Sequence, residues 1–328
     1  MSEITPPVPR LESELPTVEV YLPPPPVRHR YWLHILLLLL TFGTTMLVGT
    51  RLEMNYLQGR PVFSFGEDYI PLFPITEVLH QPRLILLGFP FSLTLMMILL
   101  SHEMGHYVLC LRYGVYATLP YFIPGPPPFG TFGAVISLKS PPANRDQLFD
   151  LGFSGPIVGF IVTIAVAIIS ILTAPLVPEV QVTSLVSQGL LSVQAWPKTP
   201  LLMILLGYLD IRAVPPGQTL VLTQVAFAAE IGALITFLNI IPAWQLDGGH
   251  IMRAALGPQG HRIATVIGLV GLALAGYWPF ALLILVMMFT RGGLTGVEPL
   301  DDVSSLSKSR KILFALAIAV LVLCFMMF

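Results

Sequence analysis

LLSHEMGHYVLC, residues 99–110, places two histidines and a glutamate in a stretch otherwise apolar enough to lie in a bilayer. A carboxylate at membrane depth costs at least a few kcal/mol on insertion scales, so such residues mark function by default. His102 and His106 stand at i and i+4, and on a helix they project from one face, one turn apart. That spacing lets two imidazoles bind one zinc ion while Glu103, beside them, serves as general base rather than ligand. A buried polar cluster without a metal is the bland alternative, and it leaves the glutamate unexplained.

The surrounding chain supports the membrane setting. Hydrophobic residues make up 55% and charged residues 11% of 328 positions, against about 25% charged in soluble domains. A formal net charge of −1 and the lack of a long basic run argue against a nucleic-acid partner. Cys110 and Cys324 sit inside apolar runs and offer no disulfide framework. Residues 1–30 carry Glu3, Glu12, Glu14, Glu19 and the run PPPP at 23–26. They read as an extended Pro-rich arm, separate from a single transmembrane domain over 31–328.

A helix needs about 20 apolar residues to cross the hydrocarbon core. Tyr31–Thr50, Leu84–Leu111, Phe153–Thr173, Leu220–Ile241 and Ile312–Phe328 meet that need. Ile263–Phe289, interrupted by GYWP at 276–279, reads as two short helices or a re-entrant hairpin, and Leu201–Leu209 as interfacial. The fold class is therefore an all-α polytopic membrane protein of about 6–7 transmembrane helices with a small membrane-associated β element.

Positive charge sets orientation. With seven crossings and the N-terminus inside, five of the 17 Lys and Arg residues fall outside: Arg51, Arg60, Arg83, Lys198 and Arg212. The other twelve lie on cytoplasmic segments, which predicts a cytoplasmic N-terminus. The second and fourth spans then both run inward, and HEMGH and NIIPAWQLDGGH (239–250) reach a similar depth on the cytoplasmic side.

A catalytic zinc takes three protein ligands and leaves a fourth position open. Asp247 is the only acidic residue near the end of the fourth span at that depth. Pro242 would break the helix, and Gly248–Gly249 would permit a tight turn that swings the carboxylate back. His250 competes as third ligand, Glu230 lies about three turns away, and Cys110 continues the histidine stripe as a small buried thiol. Asn239 could bond a developing oxyanion or, equally, a neighbouring helix. Between spans two and three, PYFIPGPPPFG (120–130) cannot form helix and TFGAVISLKS (131–140) is β-prone. A strand edge there would pair with an unwound substrate or serve only as a structural hairpin.

These motifs resemble the site-2 protease family of intramembrane zinc metalloproteases. HEMGH in a span, GTFGAVISLKSPPANRDQLFDLGFSGPIVG (130–159) and NIIPAWQLDGG occur in the family's order, over about residues 84–255. The resemblance implies one Zn2+ held by His102, His106 and Asp247, with Glu103 as catalytic base and Asn239 assisting at the oxyanion. It implies a transmembrane protein as substrate, cut within the lipid bilayer by regulated intramembrane proteolysis. Gly152, Gly155 and Gly159 would pack the third span closely against the core helices. The loop 174–218 is shorter than a typical domain of at least about 50 residues, which points to a branch without a PDZ domain. A zinc transporter and a prenyl-protein-type membrane metalloprotease are the competing classes. The sequence is silent on oligomeric state.

Overall fold

The computed structural model describes residues 30–58, 70–187, 199–208, 212–221, 223–290, 293 and 296–325. Residues 1–29 of the Pro-rich arm and the last three residues of the fifth apolar run lie outside them.

Helix α1, Tyr31–Leu57, is the first apolar run. A short helix α2, Ile75–His80, and a 3-10 stretch, Pro82–Gly88, lead into α3, Phe89–Tyr113. Pro90 starts α3 where its missing N–H costs nothing. Gly114, left-handed at φ 67°, ends it. Val115 N–H returns to Cys110 C=O at 2.9 Å and Gly114 N–H to Leu111 C=O at 3.3 Å, the 6→1 and 5→2 bonds that close a helix C-terminus. The HEMGH turn therefore sits just inside a firmly stopped helix.

The segment that could not be helical forms an antiparallel hairpin, β1 Tyr121–Pro124 with β2 Thr131–Val135. It packs on α1, where His34 stacks on Tyr121 and Thr44 Oγ1 donates to Gly130 C=O at 2.6 Å. Helix α4, Arg145–Thr173, begins eight residues before the expected span. Asn144 caps it, accepting from Gln147 N–H at 2.9 Å while Gln147 Oε1 accepts from Ala143 N–H at 2.9 Å.

Beyond α4, β3 Leu176–Pro178 pairs with β4 Gln218–Leu220, and α5 Glu179–Ser187 and α6 Pro200–Met203 lie between. Then come α7 Gln224–Ile240, α8 Asp247–Leu274, α9 Trp278–Thr290 and α10 Lys308–Cys324. Helix α8 breaks at Gly257, φ 71°, before Pro258. Its second part and α9 are the two short helices expected over 263–289.

Among the described residues, three stretches are long and apolar enough to cross a membrane: Tyr31–Leu57, Pro82–Tyr113 and Arg145–Thr173. Helices α7 and α9 are apolar but shorter. At the centre, α3 packs on α4 and α7, and α4 packs on α7 and α8.

Candidate metal centre

His102, Glu103 and His106 lie on one buried turn of α3. The link after α7 brings Asp247 to them. It turns at 241–246, where Trp244 takes a left-handed φ of 47°, and Asp247 opens α8. The expected tight turn at Gly248–Gly249 is not what forms. Both glycines are helical, and a Cβ on either would strike the Ile240 or Trp244 carbonyl, so they allow α8 to start hard against the end of α7.

Three atoms able to bind a metal form a near-equilateral triangle. His102 Nε2 lies 3.1 Å from Asp247 Oδ2, His106 Nε2 lies 3.3 Å from that oxygen, and the two nitrogens are 3.2 Å apart. Tetrahedral zinc with bonds of about 2.0–2.1 Å has ligands about 3.3–3.4 Å apart.

The hydrogen bonding makes the same case. His106 Nδ1 is 2.6 Å from the Leu151 carbonyl, which can only accept, so Nδ1 carries the proton. In the neutral ring Nε2 then presents a bare lone pair to a carboxylate oxygen and a second imidazole nitrogen. Three lone-pair donors converging on one point fit a cation, and a backbone carbonyl behind a ligating histidine is the usual way to fix its tautomer.

Glycines on α4 admit the rings. A Cβ at Gly155 would overlap the His106 imidazole, and one at Gly159 would stand 3.2 Å from His102 Nδ1. Gly152 lies against α8, its Cβ position 2.8 Å from the Asp247 carbonyl and 2.9 Å from His250 Cβ. The motif expected to pack helices together also leaves room for the ligand side chains.

On the other side, a cavity of about 170 Å³ is lined by His102, Glu103, His106, Asp247, Asn239, His250 and residues 134–136. The Ile136 backbone amide, just past β2, lies close to the Glu103 carboxylate. Asn239 Nδ2 reaches within 3.4 Å of His102 Nε2.

His250 and Cys110 line the cavity but stand outside the three-residue ligand group. Glu230 is elsewhere, accepting the Thr199 N–H at 3.0 Å. Sequence reasoning missed the Leu151 carbonyl and the Ile136 amide. Backbone groups carry no residue signature, although Pro156 inside α4 marks the neighbourhood of the first.

Comparison with known proteins adds a second line of evidence. A family model described as Peptidase family M50 matches residues 90–277. "Probable zinc metalloprotease EGY1, chloroplastic" of Arabidopsis thaliana is 27% identical over 93% of this chain and 54% of its own length. "Probable zinc metalloprotease EGY2, chloroplastic" of the same plant is 28% identical over 66% of this chain and 36% of its own. The EGY1 protein of Oryza sativa subsp. japonica is 27% identical over 82% and 45%. The chain spans about half the length of these relatives, or less.

Proposed function

The chain belongs to peptidase family M50, the site-2 protease family, and from that premise we propose that it is a zinc metallopeptidase acting inside a membrane. Its substrate is a transmembrane segment of another protein, hydrolysed in or near the bilayer as in regulated intramembrane proteolysis. The observation that carries this reading is the His102–His106–Asp247 triangle with Glu103 beside it, His102, Glu103 and His106 being buried on a helix apolar enough to cross a membrane.

His102, His106 and Asp247 would hold one zinc ion. When bound there, zinc supplies Lewis acidity, polarising the scissile carbonyl and acidifying water. Glu103 takes a proton from the attacking water and passes it to the leaving amine. The Ile136 amide lies beside its carboxylate at the cavity wall. The Asn239 amide donates to oxygen as charge develops on it. The edge of β2, bordering the cavity at residues 134–136, pairs with the unwound substrate backbone. Burial of the site excludes bulk water and strengthens each of these polar interactions.

We further propose a multi-pass protein of about 6–7 crossings with the N-terminus and the active site toward the cytoplasm. Positive-charge asymmetry supports that orientation. So do two ionic groups beside the start of α4, Arg145 and Arg253 on Asp302 and Arg310 on Asp146 and Asp150. A transport pathway would need further ligand groups along the bundle, and among the described residues His102, His106 and Asp247 form the one cluster of three.

Glu103→Gln should keep zinc and lose cleavage of a model transmembrane substrate by roughly 10²–10⁴-fold. Retained cleavage sinks the assignment, and loss of metal would make Glu103 a ligand. Asp247→Ala should lower zinc content, and unchanged content would move the third ligand to His250.

A further inference from the structure

Asp302, between α9 and α10, is gripped by arginines from two helices. Arg253 of α8 donates through Nη1 and Nη2 to its two oxygens at 2.7 Å each, the bidentate fork. Arg145 of α4 donates through Nε to Oδ1 at 3.0 Å. Arg253 is 3% exposed, and its remaining acidic neighbour, Glu298, stands at 4.0 Å and is mostly solvated. Asp302 therefore carries most of the compensation of a buried charge.

The same stretch of chain is anchored at and just before the start of α4. Leu300 N–H donates to Pro142 C=O at 3.0 Å and Asp301 N–H to Ala143 C=O at 2.9 Å. Further on, Ser307 N–H donates to Asp146 Oδ1 at 3.0 Å, and Arg310 pairs with Asp146 and Asp150 at 3.1 and 2.6 Å. These contacts join the segment to α4, whereas the Asp302–Arg253 pair joins it to α8.

Those two helices form the back of the metal centre. Helix α4 supplies the Leu151 carbonyl that orients His106 and the glycines that seat both rings. Helix α8 opens with Asp247. Arg145 precedes Leu151, and Arg253 follows Asp247, by six residues each, about 9 Å along a helix. Arg145 also covers the α8 break, its guanidinium 3.2 Å from where a Gly257 Cβ would stand.

We propose that Asp302 is a positioning residue for the metal centre: by clamping Arg253 of α8 to Arg145 of α4, it fixes the distance between Asp247 and His106. The proposal rests on the zinc reading above. Removing one partner of a buried pair strands the other charge. Helix α8 then relaxes toward water to solvate Arg253, and Asp247 goes with it.

The test uses the full chain in detergent or nanodiscs, with zinc affinity read by chelator competition below the melting temperature and Tm read in parallel. Asp302→Asn should weaken zinc binding about tenfold, as loss of groups supporting metal ligands does. Asp146→Asn, which cuts the tie to α10 on the same segment, should lower Tm but leave zinc affinity within about twofold, since its hydrogen bonds and ion pair go to Ser307 and Arg310. Parent-like zinc affinity in Asp302→Asn, or weakening in both variants in proportion to their Tm, overturns the proposal.

Should Asp302→Asn not fold, the parent chain still decides, because coupling between two sites is reciprocal. Stripping zinc from it should speed amide exchange at 300–306, and unchanged exchange there overturns the clamp. A parent chain that takes up no zinc overturns the metal reading, and the clamp with it.

Discussion

The metal centre has two unlike walls. On the α4 side, Gly155 and Gly159 press against the imidazoles, and the Leu151 carbonyl fixes one ring at 2.6 Å. On the hairpin side stand Ala134, Val135 and the Ile136 amide around open space, with Val135 48% exposed. One wall is close-packed backbone, the other a strand bordering a cavity. Under the proposed function, holding a metal requires ligands whose positions are over-determined, while admitting a peptide requires groups that remain accessible, and the two demands would fall on different elements.

The sharpest way to break this contrast is to fill the tight wall. Gly155→Val should expel the His106 ring from its seat and abolish zinc binding and cleavage together. Overpacking of this kind costs about 1–3 kcal/mol of stability, so metal analysis on folded protein is the deciding measurement. Retained zinc would mean that α4 is not what seats the ring.

Asn239→Ala sits between the walls. If its amide serves the oxyanion, kcat should fall about 10²-fold, as when one oxyanion donor is lost, with zinc content and KM nearly unchanged. A fall in zinc content with little change in kcat per metal would make it a support for His102.

On the open wall, Val135→Trp should raise KM about three- to tenfold by narrowing the cavity, a change worth about 1 kcal/mol, and leave zinc in place. An effect on zinc instead would show that the hairpin also holds the ligands.

The smallest effect lies furthest out. The hydrogen bonds from Arg253, then from Arg145, hold the Asp302 carboxyl below the usual carboxylate range. Its contribution to stability is thus full above the unfolded value of about 3.9 and fades as pH falls through the folded one. Parent Tm should drop more steeply than that of Asp302→Asn below about pH 4; parallel curves would show that this carboxylate does not govern acid sensitivity.

The side chains gathered at the candidate metal centre were legible because the chemistry they suggest is tied to residue type and short spacing. His102, Glu103 and His106 follow from helical period alone, and Asp247 from the scarcity of acids at that depth. The hairpin was legible because proline excludes helix over 120–130. What supports these groups was not. The Leu151 and Ile136 contacts use backbone, and Asp302 meets Arg145 and Arg253 across 157 and 49 positions, which no local pattern encodes. Gly155 was legible as a packing residue, yet what it packs against, a ring rather than a helix backbone, required the fold. Asp247 arrives at the start of α8, because α7 stops at Ile240 and Gly248 and Gly249 suit a helix start as well as a turn.

The left-handed residue at Gly257 divides α8 so that Asp247 rides on a stub of ten residues ending at Leu256. Such a stub is about 15 Å long, and rotation about its base is magnified at its tip. A tilt of about 4° displaces the carboxylate by about 1 Å, half the length of a zinc–oxygen bond of about 2 Å. On the zinc reading proposed above, the site therefore has a mechanical sensitivity set by arm length, and the close packing of Gly248 on the Ile240 carbonyl and of Gly152 on Asp247 is what steadies the tip.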